Sequence, residues 1–311
     1  MGTQNHSMDI NGSRSARVPW RYLFLATVAC ASVVTTPSAY AQSTPESGQQ
    51  VALVTGSTSG LGREVALRLG AAGTHVIVHG RNRERGLEVV EAIESAGGSA
   101  RFYAADLASL AQVRALGEEV LNDYDKLDLL INNAGIAFAT ERSVSEDGHE
   151  LHFQVNYLSH FLLTAMLLPR LRESAPSRII NVSSIAQQAI DFDDVMLEDA
   201  FSGGRAYAQS KLAQILHTFD LAEELEGSQV SVNALHPATM MDTPMVLNAG
   251  RSARATVDEG ADAVMQLVTS PDIGSGEYFS GLRLSRANEQ AYDAEARTRL
   301  KRLSERLTGA R

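Results

Sequence analysis

Short apolar runs alternate with helical stretches along most of this chain, and that alternation limits the fold more than any other feature. Val51-Ala52-Leu53-Val54-Thr55 is a buried-strand run, followed by a glycine-rich turn and a helical pattern from Arg63 to Ala71. Further strands are predicted from His75 to His79, Arg101 to Ala104, Leu127 to Ile131, Arg178 to Val182, Gln229 to Ala234 and near Glu277 to Gly281. Helices are predicted from Arg83 to Ala96, Leu110 to Tyr124, Glu150 to Leu171 and Thr256 to Thr269, with a long one carrying Tyr207 and a charged tail from Ala287 to Leu307. Strands alternating with helices form βαβ units around a parallel sheet. The predicted fold class is therefore α/β, with a doubly wound sheet in a single domain over 51–311.

The first turn places Gly56, Gly60 and Gly62 between strand and helix, with Ser59 and Leu61 beside them. Glycines allow a tight turn and close backbone approach, and a helix N-terminus offers N–H groups to a pyrophosphate. No Lys-Ser/Thr pair closes the turn, which sets it apart from a nucleoside-triphosphatase loop. The predicted sheet is thus of the Rossmann type. At the end of the second strand, a carboxylate would bind the ribose hydroxyls of NAD, whereas an Arg accommodates a 2′-phosphate. Here Gly80 is followed by Arg81, with Arg83 and Arg85 nearby. NADP(H) is predicted in preference to NAD(H), with Arg81 as the clamp.

Tyr207 and Lys211 lie four apart at the start of an apolar-periodic run, so a helix stacks them on one face. A free phenol ionises near pH ~10. A neighbouring ammonium lowers that value, which makes the phenol usable for proton transfer.

Thr55-Gly56 with Gly60 and Gly62, Asp106-Leu107, Asn132-Asn133-Ala134-Gly135, Asn156, Ser184 and Tyr207-x-x-x-Lys211 together resemble the short-chain dehydrogenase/reductase family, from Val51 to the C-terminus. The stretch Glu146 to Leu158 and the acidic insertion around Asp191-Phe192-Asp193-Asp194 resemble its retinol-dehydrogenase-like branch, which includes the WW-domain oxidoreductases; no WW domain is present. The resemblance implies an NAD(P)-dependent oxidoreductase acting on an alcohol, aldehyde or ketone. It implies a catalytic set of Asn156, Ser184, Tyr207 and Lys211. Ser184 would polarise the substrate carbonyl, Tyr207 would move the proton, and Lys211 would bind the nicotinamide ribose and lower the Tyr207 pKa. Asn156 would hold a water linking Lys211 to solvent. It also implies cofactor contacts from Asp106, Leu107, Asn133, Ala134, Gly135, Pro237 and Thr239, with Asn132 holding the sheet and the ribose side. Thr243 is an alternative to Thr239 at the nicotinamide. No metal is required. Pro237-Ala238 replaces the usual Pro-Gly, which makes a positive φ at 238 unfavourable. A homodimer or homotetramer through the Tyr207 helix and the Glu150 helix is expected on the same basis. A second class of function, a nucleotide-binding scaffold or redox sensor, would not need the Tyr–Lys geometry.

Residues 1–41 differ in kind. Arg14, Arg17 and Arg21 precede an apolar run from Leu23 to Val34 and the sequence Ala39-Tyr40-Ala41. This is the pattern of a secretory signal peptide cleaved after Ala41; an organelle-targeting segment and an extension from a mis-assigned start are the other readings. The run is short for a bilayer span, which takes about 20 residues. Export to the periplasm or exterior follows if the leader is used, and a cytoplasmic location if it is not. Cys30, the only cysteine, falls in this segment, so no intrachain disulfide forms. Residues 42–50 read as a polar linker. The net charge of −10 argues against a nucleic-acid binder, which needs a basic face. His149 and His152 lack the third ligand of a zinc site and read as a solvated helix start. Met240, Met241 and Met245 read either as an adaptable apolar pocket lining or as loop packing.

Overall fold

A computed structural model describes residues 43–310. The readings for residues 1–41 lie outside the described residues. The strands are β1 (Val51–Val54), β2 (His75–Gly80), β3 (Ser99–Ala104), β4 (Leu129–Asn132), β5 (Ser177–Val182), β6 (Val230–His236), β7 (Glu277–Ser280) and β8 (Arg283–Leu284). They form one sheet in the order β3-β2-β1-β4-β5-β6-β7-β8. All neighbours are parallel except β7 and β8. The short antiparallel β8 covers the edge of β7 and was not anticipated from the sequence.

Strand periodicity divides the core. Every residue of β1, β2 and β4 is buried, as expected for parallel strands covered on both faces. Val51 and Leu53 point into one apolar layer with Val113, Leu116 and Leu162. Ala52 and Val54 point into the opposite layer with Val65, Leu69 and Val264. The helices are α1 (Gly60–Ala71), α2 (Arg83–Ser95), α3 (Leu110–Asp123), α4 (Ser159–Glu173), α5 (Gly203–Glu224), the short α6 (Pro244–Leu247), α7 (Val257–Thr269) and α8 (Ala294–Thr308). Thr256 starts α7 with a reciprocal capping box to Glu259, which fixes its entry without burial.

The helix predicted from Glu150 opens instead as a π-helical turn, Phe153–Leu158, in which the Ser159 N–H donates to the Gln154 carbonyl five residues back. Such turns concentrate at functional sites. Its entry is buried rather than solvated, which corrects the reading of His152. Glu150 is fully buried and accepts from the His152 and Phe153 N–H groups at 3.0 and 2.8 Å, and from His152 Nδ1 at 2.8 Å.

The stretch read as a linker is tied to the sheet from Ser43. Ser43 Oγ accepts from the Ala100 N–H at 2.8 Å and donates to the Ala100 carbonyl, and Gln49 Nε2 donates to the Gly73 carbonyl.

A third apolar cluster packs the C-terminal helix against α5 and the π turn. Phe153, Tyr157, Leu212, Leu216 and Phe219 pack with Ala296 and Leu300 of α8. The Tyr157 hydroxyl pairs with Ser304 Oγ at 2.7 Å, both residues being buried. Lys301 reaches Glu224 at 2.9 Å, and Arg297 reaches Glu223. The charged tail is therefore amphipathic, with its apolar side on α5 and the π turn. Leu300→Ala should cost about 2–5 kcal/mol, the range for truncating a buried leucine, measured by urea unfolding; a loss under ~0.5 kcal/mol would place α8 outside the core.

Candidate active site

The cleft opens where the strand order reverses, between the carboxyl ends of β1 and β4, the usual place for a ligand in a doubly wound sheet. Its volume is about 810 Å³. Two turns meet there. Gly56 has φ +65°, and a Cβ on it would lie 2.8 Å from Ala134 Cα. A Cβ on Gly62 would lie 2.4 Å from Asn133 Nδ2 and 2.5 Å from the Gly56 carbonyl oxygen. Side chains are excluded at both positions, so the backbone forms the wall. The start of α1 faces this wall, and no Ser59 side-chain hydrogen bond caps it. A phosphate-bearing group fits a cradle of this kind.

All predicted cofactor contacts line the cleft: Gly56, Ser59, Gly60, Leu61 and Gly62 at the first turn, Arg81, Asp106 and Leu107 at one end, Asn133, Ala134, Gly135, Tyr207 and Lys211 in the floor, and Pro237 and Thr239 at the other end. Arg81 is exposed on the rim, with Nη1 3.6 Å from Asp106 Oδ2. Asn132 does not reach the cleft. It is fully buried and donates to Thr164 Oγ1 and Asn181 Oδ1 at 3.0 and 2.8 Å, so it holds the sheet and not the ribose side. Thr239 pairs with His236 Nε2 at 3.0 Å, while Thr243 packs against Gly60; both line the cleft.

Ser184, Tyr207 and Lys211 share the floor. Ser184 follows β5, and its Oγ accepts from the Ala186 N–H at 3.1 Å. Tyr207 and Lys211 lie one turn apart on α5, with Lys211 Nζ 5.8 Å from the phenol ring centre. Lys211 is 4 % exposed and donates to the Val182 carbonyl at 2.8 Å and Gln214 Oε1 at 3.0 Å. Burial lowers its pKa from 10.5 to about 7. Burial also raises the Tyr207 phenol, with the Ser184 hydrogen bond opposing. Desolvation sets the direction, and the expected lowering by Lys211 is not found.

Asn156 stands behind the floor. Its Oδ1 accepts from the Ile136 N–H at 2.8 Å, and its Nδ2 donates to the Ile136 carbonyl at 3.1 Å and Ser210 Oγ at 2.9 Å. A Cβ on Gly135 would lie 3.2 Å from Asn156 Oδ1 and 3.4 Å from Lys211 Nζ, so this glycine lets the two residues approach the floor together.

Sequence reasoning missed His79 and Phe138. His79 Nδ1 accepts from the Gly56 N–H at 3.2 Å, which fixes the first turn from beneath. Phe138 takes φ +63° and carries the Arg251 guanidinium 5.5 Å from its ring centre. Neither stands in a recognisable motif. The methionines divide between the two readings: Met241 packs with the core and contacts Gly260, while Met245 is 40 % exposed, and all three line the cleft. Ala238 avoids positive φ, and Met240 adopts it instead, at +54°.

A dinucleotide cleft with a phenol, a hydroxyl and an ammonium in its floor defines a class of oxidoreductase. The short chain dehydrogenase family model matches residues 50–254, and the chain belongs to this family, in its retinol-dehydrogenase-like branch. It is an NAD(P)-dependent oxidoreductase of CH–OH donors. It is 37 % identical to retinol dehydrogenase 14 of Mus musculus, covering 83 % of this chain and 85 % of that one. It is 35 % identical to polyprenol dehydrogenase of Danio rerio, covering 85 % and 88 %. The Pseudomonas aeruginosa RhlG/NADP active-site complex superposes with a TM-score of 0.61 at 30 % identity, covering 74 % and 94 %.

The lysine carries a linkage signature. Its folded pKa lies below the unfolded value, so between about pH 7 and 10.5 the unfolded chain binds the extra proton. Stability attributable to this group rises with pH across that window, and the penalty is complete below it. The Tm gain of Lys211→Met over wild type should be largest near pH 6 and shrink toward pH 10; a pH-independent difference would refute this.

Proposed function

We propose that this protein transfers a hydride between NADP(H) and a lipophilic alcohol/carbonyl pair, with Tyr207 as general acid and base. The convergence of Ser184, Tyr207 and Lys211 on one floor beside the glycine cradle carries this reading. When bound, the nicotinamide cofactor supplies or accepts the hydride, and the protein supplies orientation and proton handling. The Ser184 hydroxyl donates to the substrate oxygen and polarises the carbonyl. The Tyr207 O–H then protonates the oxygen as negative charge develops there, or its phenolate removes the proton in the oxidative direction. A phenol whose pKa is raised by burial holds its proton until an alkoxide forms, which suits the reductive step. Lys211 places a titratable ammonium one helical turn away. Asn156 keeps the floor in position through Ile136.

The cofactor preference rests on Arg81. It stands on the rim immediately after β2 with no carboxylate at that strand end, and its partner Asp106 lies at 3.6 Å, a loose surface pair that a 2′-phosphate can displace. A lipophilic substrate is supported by the cleft flank, where Ile136, Phe138, Ile185, Met240, Met245 and Val246 supply apolar and adaptable surface. Relatives named for retinol and polyprenol fit the same chemistry. The direct test is NADPH oxidation against a panel of aldehydes, ketones, steroids and retinoids. NADPH binding without turnover of any of them would favour a non-catalytic scaffold.

Two substitutions address the residues. Tyr207→Phe should lower kcat by at least ~10²-fold, the usual scale of general acid–base help; near-normal turnover would sink the mechanism. Arg81→Ala should shift the NADPH/NADH ratio of kcat/KM toward NADH by about tenfold, the worth of one charge-assisted contact. An unchanged ratio would remove Arg81 from the specificity site.

A further inference from the structure

His160 is a buried imidazole to which no motif points. It is 2 % exposed and lies on the first turn of α4, just after the π turn that carries Asn156. Both ring nitrogens are engaged. Nδ1 lies 3.0 Å from the Asn156 carbonyl oxygen, and Nε2 lies 3.0 Å from Thr55 Oγ1. A carbonyl can only accept, so Nδ1 carries the hydrogen. Burial holds the ring neutral, with a pKa pushed down to about 3. Nε2 is then a bare acceptor and Thr55 must donate to it.

The direction of that bond matters for Thr55. Its oxygen also accepts from the Asn133 and Ala134 N–H groups, at 2.9 and 3.0 Å. The Ile131 carbonyl also lies 3.3 Å from this oxygen, farther than Nε2 at 3.0 Å, and since a hydroxyl has one hydrogen and two lone pairs, the three shorter bonds saturate it. The floor loop is thereby held at both ends: Thr55 grips residues 133 and 134, and the Asn156 side chain grips Ile136. His160 joins the two grips.

We propose that His160 is a positioning residue that braces the cofactor turn and the Asn156 turn against each other through one imidazole, setting the floor on which cofactor and substrate meet. The functional side of this proposal rests on the reading of the site given above. The cross-brace has two separable arms, one serving the cofactor side through Thr55 and one serving the catalytic side through Asn156.

Two isosteric variants separate them. His160→Asn retains an amide donor near the place of Nδ1 and has nothing at Nε2, so it keeps the Asn156 arm and loses the Thr55 arm. His160→Gln extends its amide to the place of Nε2 and loses the Asn156 arm. For each, NADPH Kd is measured by fluorescence titration, and kcat at saturating NADPH is measured with the carbonyl compound of the panel that wild type reduces fastest. His160→Asn should raise the NADPH Kd about tenfold with kcat nearly kept, and His160→Gln should lower kcat about tenfold with Kd nearly kept, each being the worth of one buried hydrogen bond. A merely structural histidine would not split the two quantities. Equal losses in both, the reverse pattern, or no change in either would overturn the proposal. A measurement on the wild-type protein needs no folded variant: ¹⁵N shifts of His160 should report hydrogen on Nδ1 and none on Nε2, and the opposite tautomer would overturn it as well. Normal turnover by Tyr207→Phe would remove the proton-transfer reading while leaving the Kd arm and the tautomer to be judged on their own.

Discussion

The approach of two backbones at the top of the sheet controls the rest of this structure. Gly56, after β1, and Ala134, after β4, come so close that a Cβ on the glycine would lie within 2.8 Å of Ala134 Cα. Parallel pairing of β1 with β4 brings these ends together. The backbone groups freed there must find partners, because buried N–H groups are costly when orphaned. Thr55 and His79 provide them from below, and Asn156 from the side. The cleft wall is therefore made of main chain, held in place by these few side chains.

Electrostatics in the floor follow from the same burial. Lys211 has two carbonyl-type acceptors and no carboxylate among its hydrogen-bond partners. Desolvation dominates, so ammonium and phenol both shift toward their neutral forms. The pair is poised by dryness rather than by a neighbouring anion. Any group entering the cleft alters that dryness, which links ligand binding to proton affinity at both residues.

Much of the fold was legible because strand and helix periods differ and because glycines mark the first turn. Val51 to Val54 alternates cleanly between the two apolar layers, and Thr256 with Glu259 announces a helix start. Tyr207 and Lys211 were legible because their spacing obeys helix geometry, whereas Ser184 and Asn156 were named only through the family resemblance. Features that depend on long-range packing were not. The burial of His152 needs Glu150 beneath it, and the π turn has no composition of its own. Asn132 reads like its neighbour Asn133 in the motif, yet β4 pleating turns it into the sheet. The apolar side of α8 shows its purpose only once α5 lies under it. Met240 takes left-handed φ at a cost of about 1–3 kcal/mol, a strain that composition gives no hint of.

The position of α8 has a consequence for how the molecule is made. A ribosome delivers Phe153, Tyr157, Leu212 and Leu216 well before it delivers Ala296 and Leu300, yet these residues share one apolar cluster. During synthesis α5 and the π turn carry an uncovered apolar face until α8 has emerged. Transiently exposed apolar surface is prone to aggregation. Docking of the later-made α8 is what hides that face.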